Sequence, residues 1–171
     1  MSTLNPNDVN YLNYTFKKYH CEKDKVKELI FSILESYGLP LDPGHTDKDL
    51  DTIEETYFED RGYFEVVYDK KNELVGTWAL ARITEETVEL RKMYLSAKDR
   101  GKGLGKMMLD RALQKARALK YEKVELETAS VLKEAIKLYE SYGFKKLKKE
   151  NLSDRCNQVH ELDLRKATQS E

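Results

Sequence analysis

The segment Ser96-Ala-Lys-Asp-Arg-Gly-Lys-Gly-Leu-Gly-Lys-Met-Met108 decides the fold, because it joins a strand-like stretch to a strongly amphipathic one. A glycine-rich turn that starts a helix presents several backbone N–H groups at the positive end of the helix dipole. The segment therefore predicts a binding site for a phosphate or pyrophosphate. The competing interpretation is a flexible turn in which glycine simply begins the helix.

Two common phosphate-loop motifs do not fit this turn. A Walker A loop needs a glycine where Arg100 stands, and it needs a Ser or Thr after Lys106, where Met107 stands. A dinucleotide-binding fingerprint needs a third small residue where Lys106 or Met108 stands. The pattern that remains is Arg-x-x-Gly-x-Gly, which starts at Arg100.

The strand predicted immediately before this turn has an irregular apolar pattern. Val88 and Leu90 occupy one phase of the pleat, whereas Met93 and Leu95 occupy the other. A flat strand cannot place both pairs on one face. A bulge at residues 91–92 would do so, and it would bend the strand away from its neighbour and free backbone groups for a ligand. The alternative is a strand buried on both faces.

Apolar periodicity along the rest of the chain predicts a mixed α/β fold. The expected helices cover 24–37, 104–119 and 132–142, with a short helical segment from 47 or 49 to before 62, and the expected strands cover 14–19, 63–68, 74–82, 87–95, 124–128, 144–147 and 158–164. We therefore expect one domain over residues 14–164 with a mixed sheet of six to seven strands. A flexible segment, 1–13, precedes it and a polar tail, 165–171, follows it.

Composition excludes several classes of protein. The 171 residues, 40% hydrophobic and 36% charged, are typical of a single globular domain. A net charge of −1 argues against a nucleic-acid-binding protein. No apolar stretch is long enough to span a membrane and the first ten residues do not resemble a secretory signal, so we expect a cytoplasmic protein without a membrane anchor. The two cysteines and three histidines are scattered, so no metal site is expected.

The charges are segregated along the chain. Residues 91–123 contain eleven basic and three acidic side chains, whereas residues 41–60 contain eight acidic side chains and one lysine. The two regions could line opposite ends of one cleft, with a polyanionic cofactor at one end and a cationic amine at the other. Ordinary solvated helix faces would account equally well for the acidic segment.

Two motifs at a suitable separation resemble those of the GNAT superfamily of acetyl-CoA-dependent N-acetyltransferases. The first is Arg100-x-x-Gly-x-Gly105 after a bulged strand, and the second is Ala135-x-x-x-Tyr-x-x-x-Gly-Phe144. The resemblance covers roughly residues 14–164. It implies the acyltransferase fold of that superfamily, in which flanking helices cover a mixed sheet with splayed middle strands.

The resemblance also implies how acetyl-CoA is bound. Backbone groups at the bulge would hold the pantetheine arm, and the amides of the glycine-rich turn would wrap the pyrophosphate. The cofactor-binding residues expected on this basis are Met93, Tyr94, Leu95, Arg100, Gly101, Lys102, Gly103, Leu104, Gly105 and Lys106. One position departs from the pattern, because Leu132 stands where many members have an asparagine that contacts the cofactor. Ser130 could replace that contact, or the contact is absent.

The resemblance further implies two catalytic residues. Tyr139 would be the general acid that protonates the departing thiolate, although it also fits the apolar stripe of its helix. Glu89 would be the base that deprotonates the amine directly or through water, with an exposed strand carboxylate as the alternative. Tyr94 and Glu127 are weaker candidates for substrate-side groups.

The expected reaction is direct acetyl transfer from acetyl-CoA to a primary amine of a small molecule or a protein. Cys21 and Cys156 lack a visible activating histidine, which argues against a covalent enzyme intermediate. Two alternatives remain: a non-catalytic acyl-CoA-binding module, and a turn that binds another nucleotide or anion. The acidic segment hints at a cationic acceptor. Proteins of this appearance commonly dimerise through their C-terminal strands, so a homodimer is compatible with the sequence.

Overall fold

The middle of the molecule is an antiparallel meander of three strands, of which the first two are buried along nearly their whole length. In the computed structural model, which describes residues 8–166, this meander belongs to one eight-stranded sheet. In chain order the strands are β1 (Val9–Tyr11), β2 (Tyr14–Lys18), β3 (Tyr63–Tyr68), β4 (Leu74–Arg82), β5 (Thr87–Leu95), β6 (Lys123–Thr128), β7 (Lys145–Leu147) and β8 (Gln158–Asp163). The helices are α1 (Lys23–Ser36), α2 (Leu104–Ala118) and α3 (Lys133–Ser141).

Helices cover both faces of the sheet, which explains why β3 and β4 are buried in both phases of the pleat. On one face the stripe of α2, including Met108 and Leu109, packs with Tyr139 of α3 against the sheet. On the other face Val26 and Ile30 of α1 pack with residues 50–57. The predicted mixed α/β domain is confirmed, and the sheet has eight strands where six or seven were expected.

The sheet is antiparallel except at its centre. The strand order is β1-β2-β3-β4-β5-β6-β8-β7, and only β5 and β6 run parallel. Their pairing covers Thr87–Glu89 of β5 and Lys123–Glu125 of β6 and then stops. The rest of β5 stays paired with β4, and the rest of β6 stays paired with β8. The two central strands therefore splay apart, as expected, and a cleft opens between them.

The N-terminal boundary of the domain differs from the expectation. Residues 9–11, expected to belong to a flexible segment, form β1 and pair with residues 14–16 of β2. This short edge strand is mostly exposed, so it lacks the apolar alternation by which a strand is detected. The rest of the expected segment 1–13, up to residue 7, and the tail beyond residue 166 lie outside the described residues.

The short helical segment before the meander is also irregular. A single amphipathic helix was expected between residues 47 and 62. The structure has a 3₁₀ turn at Lys48–Asp51 and a wider turn at Glu54–Phe58, and Thr52 between them leaves the helical conformation with φ −132°. The apolar side chains still reach the core, because Leu50, Ile53 and Tyr57 are fully buried. None of the helices within residues 8–166 is long and apolar enough to cross a membrane.

Candidate active site

The predicted bulge lies in the second half of β5. Ala79 of β4 pairs with Arg91 and Thr77 pairs with Tyr94, so two residues of β5 oppose one residue of β4. Lys92 takes a left-handed conformation with φ +51°, and the Thr77 hydroxyl donates to its carbonyl at 2.6 Å. The bulge therefore corrects the phase of the apolar residues and bends β5 away from β6.

The bend exposes backbone groups to the cleft. Ser96 donates its N–H to the carbonyl of Val75, so the next pair along the antiparallel ladder, Leu95 and Gly76, is a non-hydrogen-bonded pair. The N–H and carbonyl of Leu95 thus point away from β4, towards the gap beside β6. The Leu95 carbonyl already accepts a hydrogen bond from Arg100 Nε at 3.0 Å. The N–H of Leu95 remains available to a ligand.

The splay contains two adjoining cavities. The larger, of about 400 Å³, lies between the bulge, the end of β6 and residues 153–156. The smaller, of about 220 Å³, runs between the end of β5, the glycine-rich turn and the start of α3. Four side chains form the wall that both cavities share: Met93, Tyr94, Leu132 and Tyr139.

The glycine-rich turn closes the smaller cavity. Gly101 and Gly103 have φ +74° and +82°, a left-handed conformation that L-residues other than glycine rarely adopt. Gly103 is the N-cap of α2, and no side chain forms a capping hydrogen bond at this end of the helix. The first N–H groups of α2 thus lack a side-chain acceptor, as an anion-binding helix N-terminus requires.

Basic side chains of the turn point in different directions. Arg100 lines the smaller cavity and stacks on Tyr37, with 5.1 Å from its guanidinium carbon to the ring centroid. Lys102 instead points towards β2, where its Nζ lies 3.2 Å from the Tyr14 hydroxyl. That hydroxyl donates to the buried Asp99 at 2.7 Å. The side chain of Lys102 therefore braces the turn against β2, and it does not line the cleft.

Tyr139 lies at the junction of the two cavities. Its side chain belongs to the buried core of α3, yet its hydroxyl has no hydrogen-bond partner among residues 8–166. Burial, with smaller contributions from Tyr94 and Cys156, raises the pKa of Tyr139 well above its ordinary value. A phenol in this state keeps its proton at neutral pH and can donate it.

Tyr94 stands beside Tyr139 in the shared wall. Burial raises the pKa of Tyr94 to about 12, although the guanidinium of Arg155 acts against the increase. The neighbouring Cys156 lines the larger cavity, and burial raises the pKa of its thiol above the ordinary value. A buried thiol with a raised pKa is a poor nucleophile at neutral pH. This environment agrees with a reaction that does not pass through an acyl-cysteine.

Two carboxylates face the larger cavity from opposite sides of the splay. Glu89 of β5 is held by Arg91, whose Nε and one terminal nitrogen lie 2.8 and 2.7 Å from the same oxygen, Oε2. The other oxygen, Oε1, makes no hydrogen bond within residues 8–166. Glu127 of β6 accepts one long hydrogen bond, 3.4 Å from the Ser153 N–H, and forms no ion pair within that range.

A buried ionic cluster, which we call the Asp47 clamp, supports the larger cavity. Both oxygens of Asp47 accept from the guanidinium of Arg155 at 2.6 Å, and Oδ1 also accepts from Lys92 Nζ at 2.7 Å. All three side chains are at least nine-tenths buried. Burial alone would raise the pKa of Asp47, but Arg155 and Lys92 outweigh it and lower that pKa to about 2. The clamp joins the bulge to the loops on either side of it.

The structure brings together most of the residues expected from the sequence. The expected residues that line a cavity are Glu89, Met93, Tyr94, Leu95, Arg100, Gly101, Gly105, Glu127 and Tyr139. Four expected residues do not line either cavity, namely Lys102, Gly103, Leu104 and Lys106, and of these Leu104 is buried in the core. Leu132 faces both cavities. Ser130 lines neither cavity, and it is bonded to Asn157, whose Oδ1 accepts from its N–H and whose Nδ2 donates to its hydroxyl oxygen.

Sequence reasoning missed part of the larger cavity. Asp47, Ser153 and Arg155 shape it, and Arg155 lies 108 positions along the chain from Asp47. The only available signal was the acidic excess in residues 41–60, which does not identify the member of that segment that turns inward.

Comparison with known proteins shows which family has this fold and these motifs. The sequence pattern of the acetyltransferase (GNAT) family matches residues 30–144, from α1 to the end of the Tyr139 motif. The chain belongs to the GNAT acetyltransferase family. The resemblance drawn from the two motifs is confirmed. The protein is therefore an acetyltransferase enzyme, and acetyl-CoA is the acetyl donor typical of its family.

Relatives with curated sequences are N-acetyltransferases. The chain is 36% identical over 124 residues to the uncharacterised N-acetyltransferase YjgM of Escherichia coli K12, which covers 70% of this chain and 74% of YjgM. It is 36% identical over 104 residues to the N-acetylaspartate synthetase of Danio rerio, covering 60% of this chain and 36% of that protein.

Solved structures share the fold. A GNAT-family acetyltransferase from Staphylococcus aureus Mu50 superposes with a TM-score of 0.83 at 23% identity, covering 88% of this chain and 99% of the other. A spermidine N-acetyltransferase from Vibrio cholerae, in complex with CoA and spermine, superposes with a TM-score of 0.67 at 19% identity, covering 91% and 98%. These similarities show a common fold and do not indicate the acceptor.

Proposed function

We propose that this enzyme transfers an acetyl group from acetyl-CoA to a primary amine by direct attack of the amine on the thioester. The observation that carries the proposal is the junction of two cavities at Tyr139: one cavity leads to a glycine-rich helix N-terminus, and the other is lined by carboxylates that include Glu89 and Glu127. A donor and an acceptor can approach the junction from opposite sides. A C–N bond then forms as the C–S bond breaks, and the amine loses one proton while the thiolate gains one.

The cleft offers backbone donors for acetyl-CoA at the glycine-rich turn and at Leu95. Acetyl-CoA would supply an activated acyl group on a good leaving group. We propose that the left-handed turn at Gly101 and Gly103 holds the pyrophosphate through backbone amides, because the absence of a Cβ permits close approach. The backbone of Met93 holds the pantetheine arm, because the Leu95 carbonyl is already bonded to Arg100. The free N–H of Leu95 also stabilises negative charge on the thioester oxygen during attack.

Tyr139 acts as the general acid in this proposal. Its raised pKa keeps the hydroxyl protonated, and its hydroxyl has no competing partner among the described residues. A proton donated to the thiolate completes departure of the leaving group.

Glu89 acts as the base, directly or through one water. Because Arg91 binds only Oε2, the carboxylate is oriented while Oε1 stays free to accept a proton. Glu127, on the opposite side of the cavity, attracts the ammonium form of the acceptor and holds it near the junction. Glu127 thus binds the ammonium form, and Glu89 removes its proton before the amine attacks the thioester.

A thiol-release assay tests the proposal. Purified protein with acetyl-CoA and a library of primary amines should release free CoA in proportion to acetylated amine. Glu89→Gln should lower kcat/KM. It should also abolish the rise of kcat/KM with pH on the acidic side of the profile, which reports deprotonation of the base. An unchanged rate at every pH would exclude Glu89 as the base. Acetyl-CoA binding without thiol release for any amine would identify a non-catalytic binding module.

Assembly is a separate expectation. A homodimer through the C-terminal strands stays a prediction, and light scattering during gel filtration would test it.

Among residues 8–166 no group of three or more His, Cys, Asp and Glu side chains is placed to hold a metal ion.

A further inference from the structure

The charges in the larger cavity bear on the acceptor itself. Three carboxylates line it, those of Asp49, Glu89 and Glu127, together with three cations, those of Arg91, Lys92 and Arg155. The cavity is therefore not the acidic basin that the composition of residues 41–60 suggested. Two members of the acidic segment pair with cations elsewhere, Asp51 with Lys27 at 2.6 Å and Asp60 with Arg82 at 2.9 Å. Recognition must depend on which of the lining charges are free.

Two of the cations are committed to the protein. Lys92 and Arg155 have side chains only 4% and 6% exposed, and both bind Asp47 in the clamp. Lys92 also lies 3.1 Å from Asp49, whose other oxygen accepts from the Tyr57 hydroxyl. Asp49 is thus paired with Lys92 and Tyr57, although its Oδ1 makes no hydrogen bond within residues 8–166. Lys92 and Arg155 are therefore not available to a ligand charge.

The remaining charges are Glu127 and the pair formed by Glu89 and Arg91. Glu127 has no cationic partner within residues 8–166, so it is the free negative group of the cavity. Arg91 is the cation nearest to solvent, because its side chain is 37% exposed. Glu89 holds one edge of the guanidinium and fixes its direction, and the Tyr57 hydroxyl also interacts with it, so a planar anion would bind at its exposed part.

We infer that the acceptor is an amine that also carries a carboxylate, such as an amino acid, with its ammonium group at Glu127 and its carboxylate at Arg91. The inference rests on the proposed acetyl transfer and names the substrate class for the same cavity. A polyamine fits less well. Its second ammonium would find Asp49 and Glu89 already paired with fixed cations, and Arg91 would repel it.

The test compares acceptors that differ only in the carboxylate. Amino acids, with β-alanine included, are assayed for CoA release beside their carboxamides, and spermidine is assayed in parallel. The amine of a carboxamide is less basic, so intrinsic reactivity at neutral pH favours the carboxamide. A kcat/KM at least about tenfold higher for the best acid than for its amide is expected, since a charge-assisted hydrogen bond contributes on that scale.

Arg91→Gln should remove that preference. Because Arg91 also orients Glu89, kcat/KM should fall for both acceptors, but we expect it to fall about tenfold or more further for the acid than for the amide, and Arg91→Lys should retain part of the preference. Because the readout is the ratio of acid to amide, a loss of folded protein would not change it. Arg82→Gln is the matched control, because the Arg82 side chain is similarly exposed, 31%, and lines neither cavity. Its guanidinium lies 2.9 Å from Asp60.

The outcomes separate the two proposals. Amides or spermidine that react as well as the acids would overturn the carboxylate inference and leave acetyl transfer intact. An acid preference that survives in Arg91→Gln would also overturn it, because another group would then bind the carboxylate. No CoA release with any amine would overturn the acetyl transfer on which the inference rests.

Discussion

Tyr139 is the residue at which the donor and acceptor sides of the cleft meet, and its loss should affect turnover more than binding. We expect Tyr139→Phe to lower kcat about a hundredfold, the usual contribution of a general acid, while KM for acetyl-CoA stays unchanged. Steady-state kinetics at saturating acceptor would measure both constants.

A tyrosine one turn further along provides the control for that variant. Tyr142 follows the same helix, and its hydroxyl donates to Asp110 outside both cavities. Tyr142→Phe should leave kcat unchanged. Full turnover in Tyr139→Phe would mean that Tyr139 serves only as a core residue.

Asp47 has a different role, because it neutralises two buried cations. Asp47→Asn should lower the free energy of unfolding at pH 7 by about 3 kcal/mol, since the variant leaves Lys92 and Arg155 buried without a counter-charge. Urea denaturation would measure the loss. Asp51→Asn, which breaks an exposed pair with Lys27, should cost less than about 1 kcal/mol.

The effect of Asp47 should depend on pH in a defined direction. Its pKa is lowered to about 2 in the folded protein, so the stability that it contributes is complete above about pH 4 and is lost as the pH falls through 2. The difference in unfolding free energy between wild type and Asp47→Asn should therefore shrink as the pH is lowered from 4 to 2. A constant difference across this range would contradict the role of its charge.

Individual residues differ in how far the sequence reveals them. Tyr139 and Glu89 could be proposed because each lies at a fixed distance from a motif. The Asp47 clamp could not, because its members lie on three separate segments and no periodicity links them. Ion pairs between distant residues depend on tertiary packing, which a single sequence does not display. Arg91 was likewise visible only as part of a basic excess.

At the scale of single elements, the turn before α2 should depend on glycine. Gly103→Ala would place a Cβ on a residue with φ +82°, which should cost about 1 kcal/mol of stability and weaken acetyl-CoA binding. Gly44→Ala is the control, because a Cβ at Gly44 would meet no atom within 4 Å and the backbone there is not left-handed. Calorimetric titration with acetyl-CoA would measure the affinity, and equal affinity in both variants would remove the turn from the binding site.

Elements with strong periodicity were predicted to within one or two residues. The phase change between Leu90 and Met93 also predicted the bulge, because a pleated strand has only two faces. β1 was not predicted because an exposed edge strand carries no apolar pattern. The segment 48–58 showed a helical stripe but folds as two separate turns, since burial of its apolar residues does not require a continuous helix.

For the whole molecule, acetyl-CoA should raise the melting temperature. A ligand at a hundred times its Kd that binds only the folded state adds about 2.7 kcal/mol, which corresponds to a shift of about 5–10 °C for a domain of this size. CoA should reproduce the shift, dephospho-CoA should weaken it and ATP should give none. No shift at millimolar acetyl-CoA would argue that the glycine-rich turn is not a cofactor site.

The mixed sheet as a whole could be predicted, because its strands and helices alternate in a recognisable order and the two motifs fall on the correct elements. The splay between β5 and β6 follows from the bulge only once β6 is known to be the parallel neighbour. The charge balance of the larger cavity could not be predicted, since it depends on which side chains turn inward.

The members of the Asp47 clamp lie far apart along the chain, and this separation affects the order in which parts of the cleft form during synthesis. Asp47 must find Lys92, 45 positions later, and then Arg155, 108 positions later. Closing loops of that length is entropically costly and slow compared with forming the turn and helix at residues 100–118. A ribosome-bound chain from which residue 155 has not yet emerged can therefore form this turn and helix but cannot complete the Asp47 clamp, so the wall of the larger cavity is assembled after the glycine-rich turn.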